Sequence, residues 1–182
     1  VMGGWYFLLF RPKAKRISIA HQYLAEHPEF PFAKGYSTQK WAYRINNKIT
    51  SFNTHKKLAL SFRKLKSTNN KLSIVPPLLR SEVLKLSPEN EDYILAYVVN
   101  KGYSDEIIKW HSRNKKIKLH CFWDNKEFPD EWSPNPNLTF HHINDQKFLK
   151  LMSGCIGYAS TAGFESICEA MYLDKPVLMV PV

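Results

Sequence analysis

The residues best suited to chemistry lie near the C-terminal end, in the run G-Y-A-S-T-A-G-F-E-S-I-C-E-A from Gly157 to Ala170. A strand-like apolar segment, Cys155 to Ala159, passes through Ser160, Thr161, Ala162 and Gly163 into a helical segment, Phe164 to Tyr172. Small residues let a ligand approach the backbone closely. The amides of Phe164, Glu165 and Ser166 then lie at a helix N-terminus, where unpaired N–H groups and the dipole favour a phosphate. Glu169 comes nearly one and a half turns later, and its carboxylate could accept hydrogen bonds from a pair of ribose hydroxyls. A plainer reading fits the same residues: a tight turn and then a surface acid. A strand, glycine turn and helix in succession is a weak signal by itself.

Three histidines are further candidates. His21 directly succeeds a short strand signal, and imidazole can act as a base near neutral pH. The simpler role is a hydrogen-bonded structural histidine beside Gln22. His141 and His142 adjoin the loop before a predicted helix. On an alternating strand they point to opposite faces, so at most one can meet a ligand, and loop packing explains both. The three cysteines, Cys121, Cys155 and Cys168, sit in apolar runs with no C-x-x-C spacing. They read as buried thiols of a reducing compartment. No His/Cys spacing suggests a metal site, so neither a metal nor a cofactor is expected.

These groups must be held by regular elements. Arg16 to Ala20 has strand character. Pro28 and Pro31 interrupt regular structure beyond it. From Thr38, the residues Trp41, Ile45, Ile49 and Phe52 recur at helical spacing, bordered by Lys40, Arg44 and Lys48. This predicts an amphipathic helix whose apolar stripe packs into a core. Leu58, Leu60 and Phe62 alternate as in a strand. The Pro76–Pro77 pair stops regular structure, and a domain boundary is expected between Pro76 and Asp92, with a linker over 79–92. Beyond it, strands are predicted at Tyr93–Val99, Ile117–Trp123, Leu138–His141, Cys155–Ala159 and Val177–Val180. Helices fall between them, the first N-capped by Ser104 and the second by Asn144 or Asp145. Strand–helix alternation implies a parallel sheet covered on both faces, with ligands bound beyond the carboxyl ends of its strands.

The net charge of +10 is unevenly spread. Residues 1–88 carry 16 basic and 3 acidic side chains, +13, whereas residues 89–182 carry 10 and 13, −3. A basic half attracts anions: a phosphate-bearing acceptor, an anionic membrane surface or nucleic acid. A solvated lysine-rich surface is the alternative. The apolar run from Val1 to Phe10 is too short to span a bilayer, which takes about 20 residues. Because the chain starts with Val and ends within an apolar run, it reads as a piece of a longer protein.

The run N-L-T-F-H-H-I-N-D-Q-K-F-L-K-L-M-S-G-C-I-G-Y-A-S-T-A-G-F-E-S-I-C-E-A-M-Y-L-D-K-P-V-L-M-V-P-V, Asn137 to Val182, resembles the C-terminal domain of GT-B glycosyltransferases. It looks most like the bacterial family of glycosyltransferases related to the enzyme that adds N-acetylglucosamine to lipid I. S-I-A-H-Q and I-V-P-P-L-L-R-S-E-V resemble the end of that family's N-terminal domain and its linker. The resemblance implies a GT-B-like α/β fold. A parallel Rossmann-type sheet over 93–182 would bind a nucleotide-sugar donor, and a partial second α/β domain over 1–78 would lie on the acceptor side. It places the diphosphate on Gly163 and the amides after it, in a turn formed with Ser160, Thr161, Ala162, Phe164, Glu165 and Ser166. It places the ribose on Glu169 and the base on the backbone at Ile143. The implied activity moves a sugar, with inversion and without a metal, from a nucleoside-diphosphate sugar to an acceptor in the interdomain cleft. A lipid-linked acceptor and weak contact with an anionic membrane are the expected partners, in a cytoplasmic setting. Two family features are missing. The glycine-rich first loop, with the usual candidate base, would precede Val1, and the donor-sugar loop would come after Val182, so this stretch is expected to be inactive alone. Two other functions share the pattern: a basic nucleic-acid- or anion-binding protein on a nucleotide-binding scaffold, and a nucleotide-sugar epimerase.

Overall fold

A computed structural model of the chain describes residues 14–67, 69–98, 102–161 and 163–180. The chain divides into two units, Val1–Leu78 and Leu79–Val182.

In the first unit three short strands pair in parallel in the order β1 (Ile17–Ala20), β2 (Lys56–Leu60), β3 (Leu72–Val75). β3 was not expected. Its four residues stop at Pro76, which has no N–H to continue the ladder. A 3-10 segment, His21–Glu26, comes directly after β1, and helix α1 (Ser37–Thr50) precedes β2. The core is small: Tyr23, Ala59 and Leu72, with Ala20, Leu24 and Ile74 against it. Helix α1 does not use its apolar stripe in the expected way. Trp41 is 69% exposed, Phe52 is 55% exposed, and Ile49 is exposed as well. Its one buried residue is Asn47, whose Nδ2 donates to the Gln22 carbonyl at 2.9 Å. The stripe reflects amphipathic spacing, but inside this unit a polar anchor fastens the helix.

The second unit is a six-stranded sheet in the order β6-β7-β5-β4-β8-β9. Its elements run along the chain as β4 (Ile94–Tyr97), α2 (Gly102–Arg113), β5 (Leu119–Trp123), β6 (Glu131–Asn135), β7 (Leu138–His142), α3 (Asp145–Gly154), β8 (Gly157–Ser160), α4 (Phe164–Tyr172) and β9 (Val177–Met179). All neighbouring pairs are parallel except β6–β7. The antiparallel strand β6 was not foreseen, because E-W-S-P-N is polar and contains Pro134. An edge strand tolerates both features. Ser104 is not a helix cap. Helix α2 has already begun at Gly102, and Ser104 is buried within it.

Alternation along the strands divides the core between the two sheet faces. Leu95, Phe122 and Tyr158 pack with Phe148, Leu149 and Met152 of α3 and Ala170 of α4. Ala96, Cys121, Trp123, Leu138 and Phe140 lie on the opposite face with Ile107 and Ile108 of α2. Cys121, Cys155 and Cys168 are all buried free thiols, and burial pushes Cys121 up to about 12. The segment leading into β4 is fastened to this unit. Val83 joins the core, the Glu89 and Glu91 amides donate to the Ser153 and Gly154 carbonyls, and the buried Lys175 ammonium donates to the Glu89 carbonyl.

Candidate functional site

Topology selects one point on this sheet. From β4 the chain winds outward through β5 to β7, then returns across the sheet to β8 on the other side of β4. The strand order therefore reverses between β4 and β8. In an open parallel sheet the crevice outside the carboxyl ends at such a reversal is where ligands bind. The residues there are Tyr97, which ends β4, and Val98 after it, and Ser160, which ends β8, with Thr161 and Gly163 after it. A cavity of about 420 Å³ runs along the α2 side of the sheet, from Ile94 and Leu119 at the strand starts to Tyr97, Val98, Ser160 and Thr161 at the carboxyl ends.

The turn after β8 leads directly into α4. Ile167 N–H donates to the Gly163 carbonyl, so the helical ladder begins there, and no side chain caps the helix. The amides of Phe164, Glu165 and Ser166 precede that first rung. Ser166 Oγ donates to the Gly163 carbonyl at 3.2 Å. Gly163 has φ −67°, which any residue adopts, and an added Cβ would meet only Ser166 Oγ at 3.5 Å. The protein therefore does not itself demand a glycine here, and a positive φ is not the reason for it. Its place as the N-cap of α4 favours glycine over most residues, and close approach by a ligand is a second physical reason. Ala162 lies outside the described residues. Beneath the turn, the hydroxyls of Ser160 and Tyr158 are buried, and neither meets hydrogen-bond geometry with a protein group.

Glu169 is not a surface acid. It is 2% exposed, and Arg80 grips it in a two-pronged ion pair: Nε to Oε1 and Nη2 to Oε2, both 2.6 Å. The hydrogen bond to Glu169 raises the Arg80 pKa above its ordinary value, more than burial lowers it. Arg80 Nη1 also lies 3.7 Å from Asp145 Oδ1, at the first residue of α3. Sequence reasoning missed Arg80. Its only signal is one cation closing the apolar run I-V-P-P-L-L, 89 residues from its partner.

Ile143, the expected base contact, is half exposed between β7 and α3. Asn144 caps α3 by accepting from the Lys147 amide at 2.9 Å. Ile143 and Asn144 line a polar cavity of about 550 Å³ with Asp124, Lys126, Asp130 and His142. His142 faces this cavity, holding Asp130 Oδ1 (2.9 Å) and the Asn125 carbonyl (2.8 Å). His141 faces the other way, into the core, paired with His120 at 2.8 Å. The two adjacent histidines thus split as alternation requires, and only His142 lies near a ligand-sized space. His21 opens the 3-10 segment of the first unit and is exposed. The buried histidine of that segment's end is His27, whose ring faces the Lys66 carbonyl and the Glu29 amide, a structural arrangement. Among the described residues no group of three His, Cys, Asp or Glu side chains is placed to hold a metal, and no helix is long and apolar enough to cross a membrane.

A parallel sheet with one reversal of strand order, helices on both faces and an uncapped helix at the reversal defines a Rossmann-type α/β domain. The family model of glycosyl transferase family 1 matches residues 17–182, and the chain belongs to that family, whose chemistry is glycosyl transfer. A comparison with curated proteins finds no match.

Proposed function

We propose that this protein binds a nucleoside-diphosphate sugar at the β4/β8 reversal and transfers its sugar to an acceptor. One observation carries the reading: the small-residue turn and the start of α4 fall where the sheet's strand order reverses, and the buried Glu169 follows on the same helix. In this reading the diphosphate sits on the amides of Phe164, Glu165 and Ser166, the ribose on Glu169, and the base on the backbone at Ile143. As the glycosidic bond breaks, charge grows on the departing diphosphate. Fixed amide dipoles at the helix end stabilise that charge without a bound cation. The transferred group is a hexose, delivered with inversion, and the acceptor side falls to the basic Val1–Leu78 unit. His21 is the candidate base on that unit, being exposed and carrying an imidazole, a side chain suited to general-base work. Kinship with the lipid I N-acetylglucosaminyltransferase belongs to the same proposal and rests on the resemblance of Asn137–Val182.

Calorimetry with a panel of nucleoside diphosphates tests the site. Gly163→Val should abolish binding while leaving the protein folded, since an added Cβ meets only Ser166 Oγ at 3.5 Å. Equal affinity of the two folded proteins sinks the assignment. Glu169→Ala should cost about 1.5–3 kcal/mol of affinity, the worth of hydrogen bonds to a charged group. It should also shrink the preference for ribose over 2′-deoxyribose. Full retention of that preference would make Glu169 purely structural.

A lipid-linked acceptor at an anionic membrane is the partner reading favoured by the exposed Trp41, Ile49 and Phe52 of the α1 region. Helix α1 contains Lys40, Arg44 and Lys48 and no acidic residue. Aromatic residues flanked by cations suit the headgroup region of such a surface.

A further inference from the structure

Glu169 is a carboxylate buried in the core flank of α4, and Arg80 is its hydrogen-bond partner. An unpaired charge in that setting is costly, and removing one partner of a buried pair typically destabilises strongly. The geometry does more than neutralise. Each carboxylate oxygen accepts one guanidinium N–H at 2.6 Å, which leaves further lone-pair capacity on each oxygen. Arg80 itself remains 37% exposed in its side chain, so it borders solvent while its partner does not. Its third nitrogen points toward Asp145, the residue that opens α3 two positions after Ile143. One guanidinium therefore ties the acid on α4 to the start of α3, the two places assigned to ribose and base.

We infer that Arg80 is a positioning residue of the donor site. It fixes the orientation of the Glu169 carboxylate beside the proposed ribose site, and it cancels a negative charge that would repel the ligand's diphosphate. The role is exerted through Glu169, so the inference rests on the proposed donor site. A purely structural ion pair predicts a different outcome: loss of stability with no dependence on the ligand's charge or sugar.

The test compares a nucleoside diphosphate, the matching nucleoside and their 2′-deoxy forms, titrated calorimetrically into the whole protein. Arg80→Met exposes the ligand to an uncompensated carboxylate. It should lose about tenfold or more in diphosphate affinity and only about threefold in nucleoside affinity, since Coulomb repulsion scales with ligand charge. Arg80→Lys keeps the charge but not the two-pronged hold. It should retain most of the diphosphate affinity while losing the preference for ribose over 2′-deoxyribose. Arg80→Met paired with Glu169→Gln removes both charges, and should bring the diphosphate-to-nucleoside affinity ratio back near the wild-type value. If Arg80→Met fails to fold, Arg80→Lys and the double variant decide. An unchanged ribose preference in Arg80→Lys, or equal losses for diphosphate and nucleoside, overturns the inference and leaves the donor site standing. If the wild-type protein binds no nucleoside diphosphate, the donor site falls and this role falls with it.

Discussion

In the Leu79–Val182 unit an inward strand residue such as Phe122 or Phe140 is fully buried, with helices packed over both sheet faces. In the Val1–Leu78 unit, β1 leaves Ile17 and Ile19 exposed, and the α1 region does the same with Trp41, Ile49 and Phe52. Both units show clear apolar periodicity in the sequence. The second buries most of it, whereas the first leaves these side chains largely exposed. Periodicity thus identifies which face of an element needs covering, and does not say that the cover lies within the same unit.

The largest test of that contrast is a matched pair of truncations. Phe122 contacts Phe148 and His141 at ring-centroid distances of 5.3 and 5.2 Å, with no exposed surface. Phe122→Ala should destabilise the Leu79–Val182 unit by about 3–5 kcal/mol, the cost of emptying a core aromatic site. Phe52→Ala, at a mostly exposed position, should change stability by no more than about 0.5 kcal/mol. Urea denaturation of both variants measures this. Comparable losses would show that Phe52 is covered in solution.

A smaller effect separates the units by pH. His120 Nδ1 and His141 Nε2 share a hydrogen bond of 2.8 Å between stacked rings, an arrangement that needs at least one of the two rings neutral to accept. Burial, then Lys147 and His120, lower the His141 pKa to about 4, with Glu131 opposing. Burial and the nearby Lys118 and Lys147 lower His120 as well, against Glu131 and Glu91. Unfolded histidine titrates near 6.5, so below that pH the unfolded chain binds more protons than the folded one. Stability should be full above pH 6.5 and fall as pH drops toward 4, by on the order of 2–3 kcal/mol for His141. The urea midpoint at pH 7 and pH 5 reads it, and His141→Phe should flatten the slope. A wild-type midpoint that does not move with pH would mean the pair takes up its proton without penalty.

Legibility in the sequence divides along the same line. The buried strands β4, β5, β7 and β8 were legible because doubly covered parallel strands appear as apolar runs such as L-H-C-F-W and L-T-F-H-H. The strands β3 and β6 were not. One is four residues long and abuts a proline pair, and the other is a polar edge containing Pro134. The turn from Ser160 to Gly163 and the acid at Glu169 were visible as local spacing. Arg80 was invisible, since its meaning depends on a contact 89 residues away that only the folded sheet creates. The burial of Asn47 in place of Trp41 was equally hidden, because a helix with one polar anchor and one apolar stripe is ambiguous until its neighbours are known.

The smallest expected effect concerns that stripe. The exposed Trp41, Ile49 and Phe52 lie near Lys40, Arg44 and Lys48, and Lys40 and Arg44 stack over the Phe32 ring at 4.9 and 5.4 Å. Those two cations are partly held by an aromatic face, so their charges stay close to the surface that carries the stripe. Each basic residue near an anionic bilayer contributes about 1 kcal/mol, an effect that fades within a Debye length. Three of them give weak attachment, lost as salt rises. The protein should therefore sediment with vesicles containing phosphatidylserine at low salt, and not with phosphatidylcholine vesicles. Reversing Lys40, Arg44 and Lys48 to Glu should release it. Trp41→Ser with Phe52→Ser should weaken it further, because the aromatic rings add apolar contact that salt does not screen. Neither set should unfold the protein, since none of these residues belongs to the unit's core cluster. Competing mixed-sequence DNA is included in the same assay. If DNA binds more tightly than vesicles at physiological salt, the basic unit is a nucleic-acid surface. If the serine pair unfolds the protein while the charge reversal has no effect on sedimentation, the stripe is a packing face, and the contrast between the two units disappears.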